Sequence, residues 1–448
     1  MNTKVASRDA YLPELVNQCR KLGKAKREAC AHGLKDVRDA AVEYVLESKF
    51  PTTRDEEWRF TDISEILDIP FQVPDVNRES SLKLSDLTLP VRDKNALPLR
   101  IVFVNGYYVP SLSSIDASLL PTLGMEFFAG NLTQAPGNYS DRIQQYLTQS
   151  QEYHDVFAAL NMAGLVDAAV IYVPKNQAIE TPIHILYIAT PGETPTLSLP
   201  HCLVIAEPGS NITFVEDYTV IGKGATFTNA VTQVWVGENA TVNHTRLQRE
   251  SGEAYHVGLS AIAQARDSRY TCNAISLGAK ISRHNLEVLQ TGEQTETNLN
   301  GLTMIANEQL ADTHSAIKLT KPHGTTNQIH KCIVADKAHG VFNGKVFVPK
   351  PAQLTNAAQL SRNLLLSPKA RVDTKPQLEI TADNVKCSHG ATVSQLEDDE
   401  VFYLQSRGLN QDDSRNLLIN AFAAEILNRL PIASLRETLY SAVNLMKR

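Results

Sequence analysis

From Ala168 to about Val393 the chain offers strand after strand, with no long helical segment between them. AAVIYV, IHILYIA, HCLVIA, ITFVEDYTVI, FTNAVTQVWV and ATVNHTRLQ follow in close order. β-Branched residues are frequent, and turn signals recur between the runs, as at Pro208-Gly209-Ser210-Asn211 and Gly237-Glu238-Asn239. Glycine and asparagine accept the backbone that a tight corner requires. More than ~200 residues of strand without helices are compatible with a sandwich, a barrel or a β-solenoid. Two turn-plus-strand units, GSNITFVED from Gly209 and GENATVNHT from Gly237, read as weak internal repeats, which a stacked architecture would show. The chain has 448 residues, more than one compact core usually serves. Either two or three structural units follow, or an elongated repeat that adds core by stacking.

The flanks read differently. Arg8 to Phe50 is rich in Ala, Leu, Lys, Glu and Arg, with Val37, Ala40, Ala41, Tyr44 and Val45 at helical spacing, and Pro51 stops the pattern. In PTTRDEEWRFTD, Thr53 and Glu56 are placed like a capping box, and Trp58 and Phe60 are expected to pack the helices together. Pro74 to Pro98 reads as loop. Leu99–Val104 and Tyr107–Val109 flank Asn105-Gly106, a hairpin signal. Tyr139 to Leu165 is helix-like, with Tyr146, Phe157, Leu160 and Met162 available for a buried face. After Gly408 a helix capped by Asn410 or Asp412 is expected to present Leu417, Leu418, Ala421, Phe422, Ile426 and Leu430 on one face. Pro431 breaks it, and a second helix carries Leu435, Leu439 and Val443. Three regions result: 1–167, mainly helical with a short hairpin; 168–400, the β core; and 401–448, helical.

Composition excludes several function classes. A net charge of −6 gives no steering toward nucleic acid or an anionic membrane. The longest apolar runs fall far short of a bilayer span. The start, MNTKVASRDAYLPEL, lacks a signal-peptide apolar region, and its early acidic residues argue against a transit peptide; a cytoplasmic protein is expected. Six cysteines, Cys19, Cys30, Cys202, Cys272, Cys332 and Cys387, are scattered with no CxxC pair, which suits reduced thiols. There is no GxxxxGK[ST] phosphate loop, and Lys223 in GKGAT is not followed by the hydroxyl-bearing helix start such a loop needs. HExxH, GxSxG and GxGxxG are absent too, so the common metalloprotease, hydrolase and dinucleotide readings fall away.

The chemistry that remains lies in a segment of alternating, extended character. Cys387 and His389 stand two positions apart beside Gly390. In extended backbone, residues i and i+2 point to one face, so thiol and imidazole would stand side by side; both are good ligands for iron or zinc. Two ligands do not close a tetrahedral site, and a lone cysteine is more often a small buried hydrophobe. A second group, His323, His330, Cys332 and His339, repeats the i, i+2 spacing at His330 and Cys332; polar residues of β coils, at the surface or in hydrogen-bonded turns, account for it better than a ligand role does. Glu397, Asp398, Asp399 and Glu400 read as a solvated turn.

The wording of DTKPQLEI, CSHGATV and FYLQSRGL, in this order and spacing, closely resembles the SufD proteins of the SufB/SufD family, which serve iron–sulfur cluster assembly in the SUF system. PTTRDEEWRFTD, FVNGYYVPSLS and HGVFNGKVFV extend the resemblance over about Pro51 to Leu430. It implies a mostly β fold: a right-handed parallel β-helix flanked by helical N- and C-terminal regions. It implies a non-catalytic scaffold subunit acting with SufB and the ATPase SufC, with SufC docking on the C-terminal helices at Leu417, Leu418 and Phe422. Cys387 and His389 would lie near the SufB interface and take part in building the nascent cluster, His389 most strongly. No cofactor would be bound permanently; iron or a nascent cluster would be held in transit. Without partners, a homodimer is open to the chain. A SufB-like paralogue that carries the cluster itself is a second reading, since both share a Cys-x-His theme. A β-helix enzyme acting on polysaccharide is a third, and it should carry a signal peptide.

Overall fold

The computed structural model describes residues 8–22, 34–74, 82–90, 97–115, 127–149 and 155–445. The strands, in chain order, are β1 (Leu99–Val104), β2 (Tyr107–Tyr108), β3 (Phe128–Asn131), β4 (Ala169–Val173), β5 (Ile183–Ala189), β6 (Thr196–Ser198), β7 (His201–Ala206), β8 (Asn211–Val220), β9 (Thr226–Val236) and β10 (Thr241–Gln248). They continue as β11 (Ala254–Gln264), β12 (Arg269–Ser276), β13 (Ile281–Gln290), β14 (Glu296–Ile305), β15 (Leu310–Lys318), β16 (Thr325–Val334), β17 (His339–Val348), β18 (Asn356–Leu365), β19 (Arg371–Ile380) and β20 (Lys386–Gln395). From β8 onward successive strands alternate between two sheets. One sheet runs β2-β1-β5-β8-β10-β12-β14-β16-β18-β20 and the other β19-β17-β15-β13-β11-β9-β7-β4-β3. Pairing is parallel from coil to coil, and the result is a parallel β-helix of about eight turns.

The first sheet's strands begin at residues 211, 241, 269, 296, 325, 356 and 386, so a coil takes 27–31 residues. The two weak repeats are adjacent coils, with Ile212 opposite Val242 in β8 and β10. Two residues before each of these strands except the last, a residue takes a left-handed corner: Gly209, Asn239, Asp267, Gln294, His323 and Leu354, with φ from 55° to 73°. The hairpin signal holds as well. Asn105 and Gly106, at φ 52° and 87°, join β1 to an antiparallel β2, the paired left-handed geometry of a two-residue turn. The sheets begin before residue 168, since β1 pairs with β5 and β3 with β4.

Helices cover both outer faces. α1 (Arg8–Lys21), α2 (Leu34–Glu47), α3 (Gly137–Gln149) and α4 (Val156–Ala163) cover the second sheet, where Leu12, Val16, Val42, Phe157 and Leu160 share a core with Phe227, Tyr255 and Val257. α5 (Asp398–Ser406), α6 (Gln411–Leu427) and α7 (Ala433–Leu445) lie on the side of the first. There Ile419, Ala423, Ile426, Leu427 and Leu435 pack against Val215, Leu247, Ile275, Leu302 and Leu364. Among the described residues no helix is long and apolar enough to cross a membrane.

Three local expectations need correction. Asn410 does cap α6, accepting from the Asp413 N–H at 2.8 Å. The buried face is nevertheless rotated from the one expected: Leu417 (49% exposed) and Ala421 face outward, and Leu418 and Phe422 are half-buried. α6 carries apolar residues nearly all round, so its periodicity does not set its rotation and the sheet it packs on decides. The acidic run from Glu397 is no free turn; it opens α5, where carboxylates complement the positive end of the helix dipole. In the N-terminal motif the Asp55 carboxylate accepts from the Thr52 N–H at 2.8 Å, so the turn closes one residue ahead of the expected box. Parts of the expected Pro74–Pro98 loop, 75–81 and 91–96, lie outside the described residues, as does Cys30.

That motif is tied to the second sheet by charge as well as by packing. Trp58 is buried with Phe157 at 5.6 Å between ring centroids and the Arg283 guanidinium 4.0 Å over its ring. Arg283 pairs with Asp312, which also accepts from Thr61 at 2.6 Å and lies 3.0 Å from His314. His314 meets Glu57 at 3.1 Å, and Lys345 pairs with the same carboxylate. Burial alone would raise the Asp312 carboxyl, but the charges of His314 and Arg283 carry it down to about 2. For Glu57 the His314 hydrogen bond dominates over partial burial and, with Lys345, sets about 2.

Replacing Asp312 by Ala leaves the Arg283 charge buried without its partner, so at pH 7 the variant is expected to lose about 3–5 kcal/mol. Because the carboxyl is held at about 2, below its ordinary 3.8, its contribution is present above the ordinary value and lost as pH falls toward 2. The gap between variant and wild type should therefore shrink over that interval. Denaturant titrations followed by circular dichroism check both; equal stability at pH 7 would remove the cluster from the account of the fold.

Candidate functional site

β20 is the last strand of the first sheet and β19 the last of the second. Each is hydrogen-bonded to the coil before it; β20 is largely exposed and β19 largely half-buried. The side chains of β20 alternate. Cys387 packs with Leu378 and Val385 against the lumen core, whereas a Cβ on Gly390 would meet Leu360 on the outer side. Cys387 and His389 thus stand on the lumen-facing side of the open coil, about 7 Å apart along the strand. Cys387 lies opposite Ala357 and is half-buried; His389 lies opposite Gln359 and is exposed. Burial raises the Cys387 thiol, offset in part by a backbone hydrogen bond at Ala357.

Thiolate and imidazole on one open edge can hold iron by incomplete ligation and release it again. Among the described residues no group of three or more His, Cys, Asp or Glu is placed to hold a metal ion, so the pair is not a closed site.

The second group of sequence candidates does not come together. His323 is a corner residue at φ 61°. His330 and Cys332 are buried on the lumen side of β16, with His330 stacked on Phe342 at 4.5 Å. Burial lowers His330 to about 4 and raises Cys332 to about 12. His339 belongs to the other sheet and pairs with Asp373 at 2.7 Å.

Sequence reasoning missed a polar network sealed inside the helix. Glu216 Oε2 lies 2.8 Å from His244 Nε2, and Thr232 donates to Glu216 Oε1 at 2.7 Å. On the other side of the ring, Tyr270 OH is 2.9 Å and Cys272 Sγ 4.0 Å from Nδ1. All are buried. Burial opposes a charge on His244, yet Cys272 and Glu216 raise it to about 9. The signal that could have found them is the coil period: Cys272 is the register partner of His244, 28 residues on, and Glu216 is the partner of Arg246, two residues past His244 on the same face. A cavity of about 580 Å³ lies between the N-terminal motif and the second sheet, lined by Trp58, Arg283, His314 and Lys345. Its charges belong to the cluster that anchors the motif.

Fold and site define a class: a β-helix closed by helices on its outer faces, with an open last coil that carries a Cys-x-His pair. Residues 187–422 match the family described as "SUF system FeS cluster assembly, SufBD core domain", and residues 8–185 match "SufBD protein N-terminal region". The chain is 44% identical to an iron–sulfur cluster assembly SufBD family protein of Synechocystis, over 94% of this chain and 93% of that one. It is 31% identical to the iron–sulfur cluster assembly protein SufD of Escherichia coli, over 90% of each chain. With SufD of Bacillus subtilis it shares 29%, over 92% and 93%. The chain belongs to the SufBD family of iron–sulfur cluster assembly proteins.

Cys202, Cys272 and Cys332 are at most 1% exposed, while Cys387 stands at the open coil. Brief treatment of the native protein with iodoacetamide is therefore expected to modify Cys387 well ahead of these three, as read by peptide mass spectrometry. Comparable labelling of Cys332 would mean that the helix interior opens readily.

Proposed function

We propose that the chain is a SufD-type scaffold subunit, without catalytic activity of its own, acting with SufB and the ATPase SufC. The observation that carries this reading is the position of Cys387 and His389 on the exposed last strand of the β-helix. Likeness to proteins named SufD supports it. An unpaired strand edge is a template for pairing with another chain, and an edge that bears ligands puts incomplete coordination at the resulting interface. Iron or a nascent cluster is then cargo, held by residues of both subunits and released when they part. The imidazole of His389 ligates through one nitrogen while the other is available for a hydrogen bond that orients the ring.

Partner motion would enter through the C-terminal helices. Phe402 (70% exposed), Tyr403, Leu409 and Leu417 leave apolar surface along α5 and α6, and SufC docks there in this proposal. Leu418 and Phe422 contribute less, since Phe422 holds Lys331, whose Nζ lies 2.8 Å from its carbonyl and 4.2 Å from its ring centroid.

Two substitutions test the two halves of the proposal. His389→Ala removes a ligand from an exposed position, so the fold should lose at most about 1 kcal/mol. The variant is expected to assemble with SufB and SufC but to accumulate roughly tenfold less cluster on anaerobic reconstitution, read by visible absorbance; Cys387→Ala should be milder. Wild-type cluster content in an intact His389→Ala complex would overturn the site. Leu417→Asp should abolish capture of SufC by the tagged chain while circular dichroism stays unchanged; a soluble variant that still captures SufC would place docking elsewhere.

A further inference from the structure

The coil behind His389 contains a hydrogen-bonded ladder with one end unfilled. Gln328, Gln359 and His389 are successive register partners on β16, β18 and β20, all on the lumen side. Gln359 Nε2 donates to Gln328 Oε1 at 2.8 Å, and Gln328 Nε2 donates to Ser315 Oγ at 2.7 Å on the facing sheet. Each glutamine therefore directs one amide N–H toward the interior. Gln359 Oε1 is left without a partner, although the residue is only 3% exposed. A buried acceptor without a donor is costly, and native structures seldom leave one without a reason.

The ladder is also given room. A Cβ on Gly344, across the lumen, would lie 2.1 Å from Gln359 Nε2, so only glycine leaves space for the amide in this pose. Register partners in adjacent strands stand about 4.8 Å apart. An imidazole at 389, free to turn at the surface, spans that gap with one ring N–H.

We propose that Gln359 is the positioning residue for His389, its Oε1 accepting one ring N–H so that the other nitrogen is presented, unprotonated, to the cargo metal. An acceptor-only atom selects the tautomer, because a neutral imidazole donates from one nitrogen and accepts at the other. Turning the Gln359 amide alone would set its Oε1 against Gln328 Oε1, so reversal requires Gln328 to turn with it. The inference rests on the reading of His389 as a ligand, and it assigns the orientation of that ligand to residues one and two coils inside.

The test uses the full chain with ¹⁵N-labelled histidine at low temperature. A hydrogen-bonded ring N–H exchanges slowly enough with water to give a downfield signal, which is assigned to His389 by its absence from His389→Ala. Wild type is expected to show it. Gln359→Leu should lose it, and so should Gln359→Asn, whose shorter side chain falls short of the ring while staying polar; the Asn variant carries the test if the Leu variant does not fold. The same variants in complex with the partner subunits should accumulate roughly tenfold less cluster. Absence of the signal from wild type, its persistence in the variants, or wild-type cluster content in their complexes would overturn the proposal. Should His389→Ala itself leave cluster content unchanged, the assembly reading fails, while the ring signal still reports on Gln359 alone.

Discussion

Lateral hydrogen bonding between coils is the interaction on which the rest of this structure depends. A strand inside the stack has its backbone N–H and C=O groups taken up by the coil before and the coil after, in a register that runs unbroken for up to eleven residues, as between β9 and β11. Such stacking has no natural stop, and the two ends are treated differently. At the N-terminal end the sheets are finished by antiparallel pieces, the two-residue β2 and the four-residue β3, and short edge strands offer little to pair with. At the C-terminal end both sheets stop at ten-residue parallel strands, β19 and β20. Cys387 and His389 therefore sit where the stacking rule itself is left incomplete.

Much of this was legible. The long strand run, the corners, the Asn105-Gly106 hairpin and the flanking helices follow from local chemistry, which the structure leaves intact. Cys387 and His389 could be paired from spacing alone because a period of two is short. The residues that escaped detection depend on a longer period and on rotation. Glu216, His244 and Cys272 meet only after whole coils are stacked, and Gln359 acquires meaning only through the register that sets it beside His389. The rotation of α6 was misread because Leu417 and Ile419 are equally apolar, and the choice between them belongs to the sheet underneath.

The two outer faces are secured by different means. The N-terminal helices rest on an aromatic core supplemented by the Arg283–Asp312–His314 cluster. The C-terminal helices rest on aliphatic packing pinned by Lys331, whose ammonium reaches Glu425 at 2.6 Å, and by Arg429, which donates to Asn300 at 2.9 Å. Lys331 lies on β16 and Asn300 on β14, so α6 is fastened to two successive coils of the sheet that ends in β20. These ties reach β14 and β16, three and two strands from the open edge at β20.

The polar lumen has a consequence for the evolution of length. In a β-helix filled with aliphatic ladders the coils are nearly interchangeable, and a duplication or loss of one coil costs little beyond the end effects. Here the layers are individual. Glu216 is matched to His244 in the next coil at 2.8 Å. Inserting a coil between such partners would strand a buried charge, which is far more damaging than an added apolar layer. The coil number is thus locked by chemistry inside the tube, and with it the distance between the N-terminal cap and the open last coil.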